Sequence, residues 1–232
     1  MTRARTRPNT FAWSRRRAAA FFARLERERP HPATELRYET PFQLFAAVLL
    51  SAQSTDREVN RVTETLFRIA PTPESMIALG TGGLENRLRR LGLFRHKARH
   101  LLASSKLILD RFGGQIPRRR EDLLELPGIG RKSANVILNA LYGEPTIAVD
   151  THVFRVANRT GLAPGPTPQA VEEALLAIVP ERYRSRAHHW LVLHGRYVCR
   201  ARSPSCPSCV VSSLCRYAGK TPRTRDRPPR SG

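Results

Sequence analysis

The chain has 232 residues and a formal net charge of +21, from 40 Lys and Arg against 19 Asp and Glu. It contains no run of about 18 apolar residues, which excludes a membrane-spanning helix, and its basic start, Met1 to Arg17, lacks the apolar stretch and cleavage site of a secretory signal. A field of this sign and size attracts polyanions, nucleic acid first among them. A ribosome-like or merely arginine-rich protein would carry the same charge, and charge says nothing about chemistry.

In chain order, residues 1–13 are rich in Arg and Thr and offer little apolar area to bury, so a disordered basic arm is expected there, with a matching tail over 219–232. Arg3, Arg5, Arg7 and Arg15 to Arg17, with no acid before Glu26, would also suit an organelle-targeting extension. A bacterial-type cytoplasmic, nucleoid-associated protein is the preferred reading. Strand signals are almost absent, and helix signals recur. Thr40-Pro41-Phe42-Gln43 reads as an N-cap, a proline at the first helical position and a capping-box glutamine, followed by the apolar run Leu44 to Leu50. Thr72-Pro73 and Thr167-Pro168 repeat that opening. Breakers at Pro71, Gly80 to Gly83, Gly113-Gly114, Pro117, Pro127 to Gly130, Gly143 to Pro145 and Gly161 to Pro166 separate about ten short helical segments, which predicts an all-α protein with short connections.

Glu121 to Tyr142 read as a short helix ending near Leu126, a tight Pro127-Gly128-Ile129-Gly130 turn, and a second helix from Arg131. In that second helix Ala134, Ile137, Leu138 and Leu141 match the i, i+3, i+4, i+7 pattern of a core face. Lys132 lies about 200° around the helix from Ala134 and so points away from the core, with Asn135, Val136 and Asn139 on its side. Gly128 and Gly130 beside a helix start expose N–H groups that can grip a phosphate, although a plain αα-turn would use the same glycines. As a lysine on a helix surface, Lys132 suits phosphate pairing. A nucleophilic role needs the free amine, and the positive end of a helix dipole beside Arg131 disfavours further positive charge there. Asp150 precedes a helix starting at Thr151 and fits an N-cap, and His152 reads as a packed or surface histidine. Taken alone, Gln53 reads as a polar residue at a helix C-terminus and Leu93 as core.

Cys199, Cys206, Cys209 and Cys215 fall within one C-terminal stretch with the spacing C-x6-C-x2-C-x5-C. So tight a group makes scattered structural thiols improbable, and without an export signal a pair of disulfides is disfavoured, which leaves a ligand set; both zinc and a [4Fe–4S] cluster accept four thiolates. No acid occurs between Cys199 and Cys215, which leaves Arg200 and Arg202 free to meet phosphates.

Four strings, LLSAQSTDREVN (Leu49 to Asn60), LPGIGRKSANVILN (Leu126 to Asn139), TIAVDTHVFRVANR (Thr146 to Arg159) and the cysteine block, together resemble the endonuclease III family of DNA glycosylases with AP-lyase activity. The resemblance spans about Arg15 to Tyr217. It implies a helix–hairpin–helix at Gly128, Gly130 and Arg131, Lys132 as nucleophile, and Asp150 as the carboxylate that assists it. It further implies Gln53 and Leu93 as residues that fill the gap left by a flipped base, and a [4Fe–4S] cluster rather than zinc on the four cysteines. The implied architecture is two helical lobes flanking a DNA groove. One is a six-helix barrel over 34–144 with the hairpin; the other is a cluster lobe over 14–33 and 145–218. The implied function is removal of oxidised pyrimidines from duplex DNA, or cleavage at abasic sites, through a lysine imine, by a monomer with no membrane partner. The rival enzyme reading, an adenine-mispair glycosylase, resembles the same scaffold but lacks the lysine and carries a further C-terminal domain. A non-catalytic DNA-structure binder would use the hairpin alone, without need of Lys132 and Asp150.

Overall fold

A computed structural model describes residues 13–222, and these contain ten α-helices, two 3-10 turns and no strand. The basic arm before Trp13 and the last ten residues of the expected tail lie outside the described residues. The chain divides into two compact units, one of Ala33–Ala148 and the other of Met1–Pro32 with Val149–Gly232.

The first unit is built around helix α2 (Pro41–Leu50), whose residues from Phe42 to Leu50 are all buried. A helix this apolar on every side can only be central, and α3 (Asp56–Ile69), α5 (Phe94–Phe112) and α7 (Arg131–Tyr142) pack against it. α4 (Pro73–Leu88) pairs with α5, and the short α6 (Arg120–Leu124) pairs with α7 as the hairpin. The Thr-Pro openings form as their chemistry dictates: Gln43 N–H donates to Thr40 Oγ1 and Ser75 N–H to Thr72 Oγ1. The Gln43 side chain reaches back one residue further than a capping box requires, accepting from Glu39 N–H at 2.7 Å. The break expected over Gly80 to Gly83 falls at Gly80, whose φ of +63° and ψ of 175° are non-helical, so that α4 is two helical segments meeting at a kink.

One feature of α7 corrects the sequence reading. Asn135, Val136 and Asn139 do not share an open face with Lys132, for all three are buried, whereas Lys132 is exposed. The chain leaving α7 doubles back over that side. Asn139 Nδ2 donates to the carbonyls of Glu144 and Thr146, and Thr146 Oγ1 donates to Asn135 O at 2.7 Å. The same bonds carry this unit past Glu144 to Ala148, which joins its core.

The second unit joins α1 (Arg15–Glu28) to α8 (Thr151–Thr160), α9 (Pro168–Ile178) and α10 (Glu181–Tyr197). α10 packs on both α1 and α8. Its core is aromatic: Trp13, Phe21, Phe22, Tyr183 and Trp190 meet edge-on or stacked, and Trp190 Nε1 donates to Arg29 O at 2.8 Å. Trp13, the last residue of the expected arm, is thus part of this core.

Candidate active site and cysteine loop

The hairpin turn is exposed at Gly128 and Gly130 and anchored through Ile129, which is buried. Gly128 has φ +86°, and a Cβ there would meet His100 of α5 at 3.0 Å, so both the backbone conformation and the space call for glycine. Ser104, one turn further along α5, donates to Pro127 O at 2.9 Å. Gly130 is the N-cap of α7, and no side chain caps that first turn. The turn therefore offers backbone N–H groups to an anion at the positive end of a helix. Arg131 and Lys132 stand exposed on the same first turn. In an otherwise largely buried helix, Lys132 is a primary amine presented to solvent.

Gln53 and Leu93 are the two non-glycine residues with positive φ among the described residues, at +52° and +58°. Left-handed backbone at a branched or long L side chain costs free energy, about 1 kcal/mol, and such outliers concentrate at functional sites. Both side chains are exposed, Leu93 by 53%, so Leu93 is not the core leucine that its surroundings in the sequence suggest. The two turns are neighbours: a Cβ on Gly92 would lie 3.6 Å from Gln53 O. The first unit thus brings together two strained, exposed tips, and separately supports the hairpin with Lys132 through the same helix α5.

Sequence reasoning missed Lys97. It lies 4% exposed in α5, and its Nζ donates to Ser54 Oγ at 2.7 Å; burial lowers its pKa. The signal was available: Phe94, Lys97, Ala98 and Leu101 follow the i, i+3, i+4, i+7 spacing, which places a lysine on the apolar stripe.

Asp150 and the cysteines belong to the second unit. Asp150 is half-buried at the N-cap of α8, where its Oδ1 accepts from His152 N–H at 2.9 Å and Val153 N–H at 2.8 Å. Its other oxygen takes no part in the cap. His152 is half-buried with its Nδ1 3.2 Å from Arg155 Nη2, and burial lowers its pKa.

The four cysteines form no disulfide and line one small cavity together with His194, Val211, Tyr217 and Lys220. Burial raises the Cys209 thiol to about 11, and the other three sulfurs push the same way, so the four sense one another. Cations and donors ring the cavity. Arg159 donates to Arg200 O and Ala201 O with its Nη1 4.0 Å from Cys199 Sγ, and Arg155 donates to Cys199 O. Buried His194, held near a pKa of 4 by desolvation and so neutral, places Nε2 3.6 Å from Cys209 Sγ. Four soft donors in a partly desolvated pocket ringed by positive charge suit a group that binds them as thiolates. Among the described residues no set of three or more His, Cys, Asp or Glu gathers around a single metal ion. Arg202 is exposed, and Arg200 folds onto its own loop, with Nε donating to Ser203 O at 3.1 Å.

Residues 46–181 match the HhH-GPD superfamily of base excision DNA repair proteins. The chain is 49% identical over 197 residues to endonuclease III of Haemophilus influenzae and to that of Escherichia coli K12, alignments covering 85% of this chain and 93% of each relative. Among solved structures it is similar to an endonuclease III–DNA complex trapped as a covalent intermediate, with TM-score 0.83 and 40% identity over 88% of this chain and 96% of the other. A non-covalent endonuclease III–DNA complex matches equally. A thermostable thymine-DNA glycosylase, 20% identical with TM-score 0.77, shares the fold.

Proposed function

Because the chain belongs to the endonuclease III family within the HhH-GPD superfamily, we propose that Lys132 is its nucleophile and Asp150 the carboxylate that assists it. The protein is a base-excision-repair DNA glycosylase and AP lyase acting on duplex DNA. We assign oxidised pyrimidines and abasic sites as its substrates, met in the cytoplasm on nucleoid DNA. The observation that carries the assignment of Lys132 is its exposure on the uncapped first turn of α7, two residues past the exposed Gly130.

The hairpin amides of Gly128 and Gly130, with Arg131, hold a backbone phosphate at the positive helix end, where an anion is most stabilised. The target sugar carbon is shielded inside a stacked duplex, so the nucleotide must be extruded first. Gln53 and Leu93 fill the vacated space; their strained turns present both tips to solvent before DNA arrives, so no rearrangement has to be driven on binding. The free amine of Lys132 then attacks C1′, and the new N–C bond forms as the bond to the base breaks, the base leaving with the electron pair and taking up a proton. Loss of the amine proton and ring opening give an imine. Removal of a proton from C2′ expels the 3′ phosphate, a β-elimination that cuts the strand. Asp150, fixed by its two cap bonds through Oδ1, has its second oxygen available to accept or return a proton.

The four cysteines are proposed to hold a [4Fe–4S] cluster. The spacing shared with the family, the single cavity and its cationic surroundings support this. The group's contribution is structural: it would fix the loop carrying Arg200 and Arg202 against phosphates, and the lyase steps transfer no electron.

Borohydride trapping tests the assignment. On duplex with an abasic site, wild-type protein should form a covalent adduct and Lys132→Ala should not; an undiminished adduct in Lys132→Ala overturns it.

A further inference from the structure

Lys97 stands where an apolar residue would be more stable. It is 4% exposed, and among the described residues no carboxylate lies within ion-pair distance of it; the neutral hydroxyl of Ser54 receives its Nζ at 2.7 Å. Burying a charge on one neutral acceptor is costly, and a methionine of similar length would fill the same space without that cost. Stability therefore does not account for the residue. Its position does. Ser54 follows Gln53 directly, and the backbone N–H of Lys97 donates to Leu93 O at 3.0 Å. That bond is the first i→i−4 bond of α5, which any residue but proline would make at 97; what is particular to Lys97 is the side chain that joins the first turn of this helix, whose N-cap is Leu93, to the turn at Gln53. The close approach of Gly92 to Gln53 O makes these two turns a single surface feature.

We propose that Lys97 is a positioning residue that ties the Gln53 turn to the Leu93 turn, so that both tips enter the duplex as one rigid element. This rests on the reading of Gln53 and Leu93 as the residues that fill the extruded nucleotide's place. A lysine suits the task because its stem reaches across the packed interior while its ammonium offers strong donors to a loop oxygen. An untied Gln53 turn would relax from φ +52° toward ordinary backbone, and the two tips would then have to be ordered again at each encounter.

The test uses the full chain and a duplex carrying a tetrahydrofuran abasic analogue opposite 2-aminopurine, whose fluorescence rises when stacking around the lesion is broken. Protein concentrations are set by titrating active sites with borohydride-trapped abasic duplex, so that misfolded molecules do not count. Lys97→Met should lower the unstacking equilibrium by about tenfold, the cost of one lost charge-assisted bond. Binding to undamaged duplex should stay within about twofold, because hairpin and phosphate contacts are untouched. Ser54→Ala should act in the same direction, and the double variant should be no worse than Lys97→Met alone, because the two share one bond. Wild-type fluorescence in Lys97→Met overturns the proposal, as does strict additivity of the two changes. Should Lys97→Met not fold, Ser54→Ala alone decides, with a wild-type signal counting against the proposal. Leu93→Ala separates the two levels. If it too leaves the signal unchanged, the tip assignment falls with the proposal; if it abolishes the signal while Lys97→Met and Ser54→Ala do not, Lys97 alone is wrongly assigned.

Discussion

The paired turns at Gln53 and Leu93 and the cysteine loop are held in opposite ways. The turns at Gln53 and Leu93 are short, and each runs directly into a helix of the best-packed unit, α2 for one and α5 for the other. Their strained backbones are held by the helices on which they stand together with the Lys97–Ser54 bond between them. The stretch from Val198 to Thr221 has two 3-10 turns, with Pro204 and Val211 its buried residues. It is held by side-chain donors reaching its carbonyls: Arg17 to Leu214 O, Arg24 to Val210 O, Arg159 to Arg200 O and Ala201 O, and Lys220 to Ser212 O. Apolar packing over-determines the first region. The second lacks a core of its own and depends on charge.

Phe45→Ala should separate the regions most strongly. Phe45 is fully buried in α2, and such truncations cost about 3–5 kcal/mol. Thermal unfolding should show the loss in the first unit, with hydrogen exchange of the cysteine loop unchanged below that transition. Simultaneous loosening of both would erase the contrast. Arg159→Ala should do the reverse at smaller size. Removing its charge-assisted bonds to two carbonyls and its stacking on Tyr217 should cost about 2 kcal/mol, seen as faster amide exchange over 199–217 with the first unit unaffected.

These contrasts were unequally legible in the sequence. The Thr-Pro helix openings, the start of α7 at Arg131 and the cap at Asp150 follow from local chemistry, and the structure places them there. The burial of Asn135 and Asn139 was not legible, because helical periodicity counts an asparagine as polar and cannot see a chain returning over it. Nor was the left-handed backbone at Gln53 and Leu93. Neither residue favours that region, so the conformation is imposed by the helices around it, and tertiary packing has no local signature. Lys97 stands between these extremes: it shows as an anomaly in an apolar stripe, but its pairing with Ser54 is set by tertiary packing.

The smallest expected effect is also the one that turns strain into function. Leu93→Gly should raise thermal stability by about 1 kcal/mol or less, as the left-handed conformation ceases to be penalised. It should at the same time weaken cleavage of lesion-containing duplex relative to binding of undamaged duplex. A destabilised Leu93→Gly would mean that the turn stores no strain.

The exposed amine of Lys132 is proposed as the group that bonds to DNA. Wild-type protein trapped with borohydride on an abasic duplex, digested and sequenced by mass spectrometry, should carry the sugar remnant on Lys132 within the Leu126 to Asn139 segment. A remnant on Lys97, Lys106, Lys220 or the N-terminal amine, with Lys132 unmodified, would rule out Lys132 as the nucleophile.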